Sequence, residues 1–125
     1  MYKLLLVGSG NDTFAKVAKA LQENLSVEFK RAESGNSALD RLLKEPVDLV
    51  VAAEQLTDMS GLAFAAKLVV QNPMVNCALV SSLDDDDFHE ASEGLGILAK
   101  LPTDPDETQA AELLQKLRII MGPHA

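Results

Sequence analysis

The sequence runs to 125 residues, 47% hydrophobic and 24% charged, the make-up of one domain with one buried core rather than of a disordered chain. A formal net charge of −8 repels a phosphate backbone and speaks against nucleic acid as a partner of this domain. One cysteine, Cys77, excludes an internal disulfide and suits a reducing cytoplasm, and no apolar run is long enough to span a membrane.

The opening "MYKLLLVGSG" leads straight into a turn and a helix pattern, so its apolar part, Lys3 to Val7, reads as a strand and not as a signal peptide. In "TFAKVAKALQEN" the residues Phe14, Val17, Ala18 and Leu21 recur at the spacing of one helix face, with Asn11 or Asp12 placed to cap its start. "SVEFKRA" alternates Val27 and Phe29 with polar neighbours and predicts a strand near one edge of the sheet. "SGNSALDRLLKE" predicts a second helix with Ala38, Leu39, Leu42 and Leu43 facing inward. "VDLVVAA" is unbroken and apolar, as suits a strand covered on both faces. "SGLAFAAKLVVQNP" predicts a third helix, stopped before Pro73, and "NCALVSS" a fourth strand. "DDDDFHEASEG" reads as a short polar helix closing at Gly94 or Gly96, and "GILAKL" as a fifth strand stopped by Pro102. "DPDETQAAELLQKLRIIM" predicts the last helix, with Ala110, Leu113, Leu114, Leu117 and Ile120 on its inner side. Strands alternating with helices must run parallel, which predicts a doubly wound α/β domain over residues 1–121, with 122–125 as a tail.

The stretch "VDLVVAAEQLTDMSGLAF" is similar to the third strand and following loop of response-regulator receiver domains, whose pattern is Pro-Asp-Leu-Val-x-x-Asp-x-x-x-Pro-x-Met-Asp-Gly-Leu. Asp48, Leu49, Val50, Met59, Gly61 and Leu62 fall in step with it. "AESGNSALDRLLKE" resembles the second helix of that family through Gly35 and Ala38, and "GLGILAKLP" resembles its fifth strand, which ends Tyr-x-x-Lys-Pro. The resemblance covers nearly the whole chain and implies a flavodoxin-like five-stranded parallel sheet in the order 2-1-3-4-5. It also implies a cis bond between Leu101 and Pro102.

Receivers move a phosphoryl group from a donor onto an aspartate beside a carboxylate-bound Mg²⁺ ion, with a lysine, a Ser or Thr and an aromatic switch around it. Here the paired acidic positions are Gly8 and Ser9, the acceptor position is Ala53, the lysine position is Leu101 and the switch position is Leu98. Only Ser81 keeps the hydroxyl. Such a chain offers no nucleophile at the acceptor position, no charged oxygen set for a hard dication and no balancing cation, so neither metal nor cofactor is expected, and an active acceptor using another residue is the least favoured reading. Glu54 and Lys100 each stand one residue from a missing group, but neighbouring strand residues point to opposite faces. A rebuilt Mg²⁺ site through Glu54 or Asp58 is the alternative.

Gly8-Ser9-Gly10 sits between a strand and a helix, where anions bind in α/β folds, but it lacks the remaining glycine of a dinucleotide fingerprint and the Gly-Lys of a P-loop. It reads as a turn that has lost its acids. The run Asp84, Asp85, Asp86 and Asp87 reads as a capped and solvated helix start, with docking of a basic partner as the second reading. His89 and His124 have no partners at ligand spacing, and Cys77 in an apolar strand behaves as a small hydrophobe. The third helix is apolar nearly all round, so either the line of Phe64 and Leu68 or that of Leu62, Ala65, Ala66 and Val69 is left for an interface. Ile119 and Met121 fall off the main stripe of the last helix in the same way.

Taken together these residues predict a pseudo-receiver that is not an enzyme. It would act as a cytoplasmic protein-interaction or regulatory module, through a protein partner or a homodimer, with no membrane or nucleic acid involved. The alternative is a small-molecule sensor built on the vacated pocket bounded by Gly8, Ser9, Ala53, Ser81 and Leu101.

Overall fold

The computed structural model describes residues 1–8 and 12–122. Five strands, β1 (Tyr2–Val7), β2 (Val27–Ala32), β3 (Leu49–Ala52), β4 (Asn76–Val80) and β5 (Ile97–Leu101), form one sheet in the order β2-β1-β3-β4-β5. All four pairings are parallel. Four helices connect them, α1 (Ala15–Gln22), α2 (Gly35–Lys44), α3 (Gly61–Gln71) and α4 (Asp85–Ala91), and a fifth, α5 (Glu107–Met121), follows β5. Helices α1 and α5 pack on each other, as do α2 and α3. Every residue of β3 is buried, as its unbroken apolar run predicts for a strand covered on both faces. Edge strand β2 alternates half-buried Val27 and Phe29 with exposed neighbours.

Local signals start the helices. The Ser34 hydroxyl accepts from the Ser37 amide at 3.1 Å while the Ser37 hydroxyl accepts from the Ser34 amide at 3.2 Å, a reciprocal cap on α2. Ser60 caps α3 through the Ala63 amide, Asp84 caps α4 through Asp87, and Asp106 with Gln109 closes a capping box on α5. Helix α1 begins differently from the expectation: a 3₁₀ turn over Asp12–Phe14 leads into it, and Phe14 holds the cap position without a side-chain hydrogen bond. Asn11, the other expected cap, lies outside the described residues.

Several expectations are corrected at the ends of elements. Leu43 is 70% exposed and Ile120 53%, although both were placed on inner stripes. Each sits in the last turn of its helix beside a residue that does reach the core, Leu42 and Met121, so the stripe there is one residue narrower than its apolar spacing suggests. Phe64 and Leu68 are fully buried core residues, so they present no interface; the large exposed apolar side chain of α3 is Val70. A helix laid on a sheet puts its bulkiest line inward, because that line buries the most apolar area. Helix α4 closes at Ala91, and Gly94 and Gly96, both with positive φ, shape the turn into β5 instead. All described peptide bonds are trans, including Leu101–Pro102, the default for proline when nothing in the fold demands the other isomer.

Candidate functional site

Parallel α/β sheets present their working residues at the carboxyl ends of the strands. Here the ladder continues one residue beyond the strands. The Gly8 amide donates to Ala32 O at 2.9 Å, Ala53 to Val7 O at 2.9 Å and Ser81 to Leu101 O at 3.0 Å. Gly8, Ala53, Ser81 and Leu101 are thereby set in one row along this edge. Ser9, Gly10 and His124 lie outside the described residues.

The row carries hydrogen, methyl, hydroxymethyl and isobutyl groups, and all four residues are buried. Ala53, at the acceptor position, is 7% exposed and Leu101, at the lysine position, 3%. A Cβ placed on Gly8 would stand 3.5 Å from the Ala53 methyl and 3.5 Å from the Phe14 ring. Phe14 is itself completely buried. The aromatic ring thus borders the space into which a side chain at position 8 would project. The described side of the expected pocket, at Gly8, is therefore bordered by apolar groups. Ser81 is the one buried polar residue among those described, and its hydroxyl accepts from the Leu83 amide at 3.1 Å.

The charged residues around the row are engaged elsewhere. The Glu54 carboxylate accepts from the amide and the hydroxyl of Ser82, at 2.7 and 2.8 Å, tying the loop after β3 to the loop after β4. The Asp58 carboxylate accepts from the Gly35 and Asn36 amides, both at 2.9 Å, and so caps α2 from a distance in sequence. Those two bonds, that to Asn36 first, hold its pKa below the ordinary value. Lys100 donates to Leu83 O at 2.7 Å and to the Asp85 carboxylate at 2.9 Å; this hydrogen bond pulls the Asp85 pKa down. Among the described residues, no three His, Cys, Asp or Glu side chains gather closely enough to hold a metal ion. A Mg²⁺ site rebuilt on Glu54 or Asp58 therefore has no set of ligands here.

The residues that match the receiver pattern have a packing reason. A Cβ on Gly35 would come within 2.7 Å of the Met59 sulfur, so the glycine of one motif makes room for the methionine of the other. A Cβ on Gly61 would run into the carbonyl oxygen of Ala53. The loop after β3 needs that close approach to fold back, with the Gly61 amide donating to Glu54 O at 2.9 Å and Leu56 to Met59 O at 2.8 Å. Sequence reasoning placed Phe14 on a helix face but not against Gly8, and it missed the Glu54–Ser82 link. The aromatic residue shortly after the turn and the serine following Ser81 were the available signals.

Leu98, the switch position, is half-buried and is the residue passed over where Cys77 pairs with Ile97 and Ala78 with Ala99. It lines a shallow cleft of about 470 Å³ with Asp85, Phe88, His89, Lys100 and Lys116. Asp84, Asp85, Asp86 and Asp87 are all exposed beside it.

No protein-family model matches the chain, and no curated protein does. Solved structures do. The chemotaxis response regulator CheY4 of Vibrio cholerae superposes with a TM-score of 0.81 at 18% identity, over 94% of this chain and 98% of that one. The signal receiver domain of an HD domain-containing protein from Pseudomonas fluorescens superposes at 0.80 with 24% identity, over 93% and 85%. The response regulator domain of Thermotoga maritima CheB does so at 0.79 with 15% identity, over 100% and 99%. The chain has the fold of these proteins, a flavodoxin-like sheet with flanking helices.

Proposed function

We propose that this chain is a pseudo-receiver, a receiver-type domain that takes up no phosphoryl group and works by protein contact in two-component-type signalling. The reading takes residues 1–121 as the domain, 122–125 as a tail and the cytoplasm as the setting, and it assigns no enzymatic activity. The observation that carries it is the acceptor position. Ala53 has no nucleophile, and it is packed beside Gly8 and Phe14 in a row without a carboxylate or a cation among its described members. Phosphoryl transfer to an aspartate needs a carboxylate oxygen at the acceptor position and charge neutralisation around the phosphoryl oxygens; the described members of this row supply neither, and the one hydroxyl, that of Ser81, accepts from the Leu83 amide. The structural neighbours are a response regulator, a signal receiver domain and the receiver of a larger regulator, which supports a signalling setting. The contact surface is assigned to the edge formed by Asp84, Asp85, Asp86, Asp87 and the neighbouring cleft around Leu98. Its partner is a protein with a basic surface or a second copy of the chain.

Intact mass measurement after incubation with a small phospho-donor and Mg²⁺ tests the first half, and the mass is expected to stay unchanged. A stable gain of one phosphoryl group, or a saturable change on adding beryllofluoride with Mg²⁺, overturns it. Light scattering and partner capture, repeated with Asp86→Lys and Asp87→Lys, test the second half. An association that both charge reversals leave intact removes the acidic edge from the contact.

A further inference from the structure

At the opposite end of the sheet from this row, a cleft of about 310 Å³ opens between the β1–β2 pair and the carboxyl end of α2. Its volume falls at the lower end of the range for small-ligand sites. Lys3 pairs in register with Glu28, and Leu5 with Lys30, so strand alternation sets these four on one face of the pair. Arg41 and Lys44 of α2, followed by Glu45, Pro46 and Val47, form the facing wall.

The charge of this cleft runs against that of the molecule. The chain carries a net −8 and only 11 lysines and arginines. Four of those cations line this one cleft, against two carboxylates. Glu45 holds two of the cations in place, Lys30 at 2.9 Å and Arg41 at 3.6 Å. Lys3 and Lys44 pair with no carboxylate among the described residues; the nearby Asp48 carboxylate accepts from the Lys3 backbone amide at 2.8 Å. The cleft therefore offers cations fixed by a carboxylate, two ammonium groups that form no ion pair within 4 Å, and an apolar wall from Pro46 and Val47.

We infer that this cleft binds a small organic anion with a flat apolar body, an aryl carboxylate or an aryl phosphate monoester. The anionic group would meet the Lys3 and Lys44 ammonium groups, and the apolar body would lie against Pro46 and Val47. An anion without such a body gains only screened surface attraction here. A neutral ring gains only the apolar contact.

The test is a titration of the full chain, followed through its backbone amide resonances, with 2-naphthoate and phenyl phosphate as probes. Neutral 2-naphthylmethanol and inorganic phosphate serve as comparisons. One or both aryl anions should give saturable shifts centred on Lys30, Arg41, Lys44 and Val47, and which one binds more tightly distinguishes carboxylate from phosphate. Lys3→Glu and Lys44→Glu lie on the surface and leave the core untouched. Each should weaken binding about tenfold, as should raising salt to about 0.5 M. Lys44→Gln should weaken it less than Lys44→Glu does. The inference is overturned if neither aryl anion saturates, if the neutral ring or bare phosphate binds as well, or if the charge reversals leave the affinity unchanged.

Discussion

Replacing Phe14 by alanine probes the packing that borders position 8. The ring is completely buried, and its edge would stand 3.5 Å from a Cβ at position 8. A buried phenyl side chain takes on the order of 150 Å² out of water, about 4 kcal/mol at about 25 cal/mol per Å². Substitutions of this kind cost about 3–5 kcal/mol once the cavity is included. A domain of this size has a total stability of about 5–15 kcal/mol, so the variant stays folded only with a narrow margin. With a urea slope of about 2 kcal/mol per molar, the unfolding midpoint should fall by about 2 M. Phe14→Leu should fall by well under half of that, since it retains most of the apolar volume. Equilibrium urea unfolding followed by circular dichroism reads all three proteins. A Phe14→Ala midpoint within about 0.3 M of the parent would refute the claim that the ring is packed into the core here, because no buried aromatic is removed so cheaply.

Restoring the acceptor by Ala53→Asp should neither bring back phosphoryl uptake, read by intact mass, nor be tolerated well. A carboxylate without partners in this apolar row should cost about 2 kcal/mol or more at neutral pH, and the penalty should shrink as the pH falls and the group is protonated. The glycines should separate by what surrounds them. Gly61→Ala drives a methyl into the Ala53 carbonyl and should lose about 1–3 kcal/mol, whereas Gly8→Ala makes ordinary contacts and should stay within about 0.5 kcal/mol of the parent in the same unfolding assay. Asp58 is ionised more readily in the folded chain, so its contribution is present above its ordinary value of 3.8 and is lost as the pH falls through the lower folded value; Asp58→Asn should flatten the acid limb of a stability–pH curve. The Cys77 thiol is pushed up to about 12 by burial, so a thiol reagent at mildly alkaline pH should label it only after unfolding; rapid labelling of the native protein would place it at an accessible site.

The matched residues and the lost ones behave differently because they answer to different requirements. Gly35 with Met59, and Gly61 with the Ala53 carbonyl, satisfy steric demands that any chain with this loop must meet. Such demands leave fixed residues at fixed spacing, and those were legible. No such steric demand acts on the chemical positions, and Gly8, Ala53 and Leu101 were readable only as departures from a pattern. Phe14 shows the limit of periodicity: its spacing announced a buried face without saying which residue it would meet. Phe64 and Leu68 show the same limit from the other side. A helix apolar all round does not declare which line faces the sheet, and burial settled that against the interface reading.

Strand and helix alternation, the capped helix start in the run from Asp84 to Asp87, and the absence of an acid at position 53 were properties of the sequence alone, because each is read from residues close together in the chain. The approach of Phe14 to position 8, the commitment of Glu54 to Ser82 and of Asp58 to α2, and the gathering of Lys3, Lys30, Arg41 and Lys44 around one cleft were decided only by tertiary structure. These join residues as far as 41 positions apart in the numbering of the chain, and no local pattern records which of two distant segments the sheet order will set side by side.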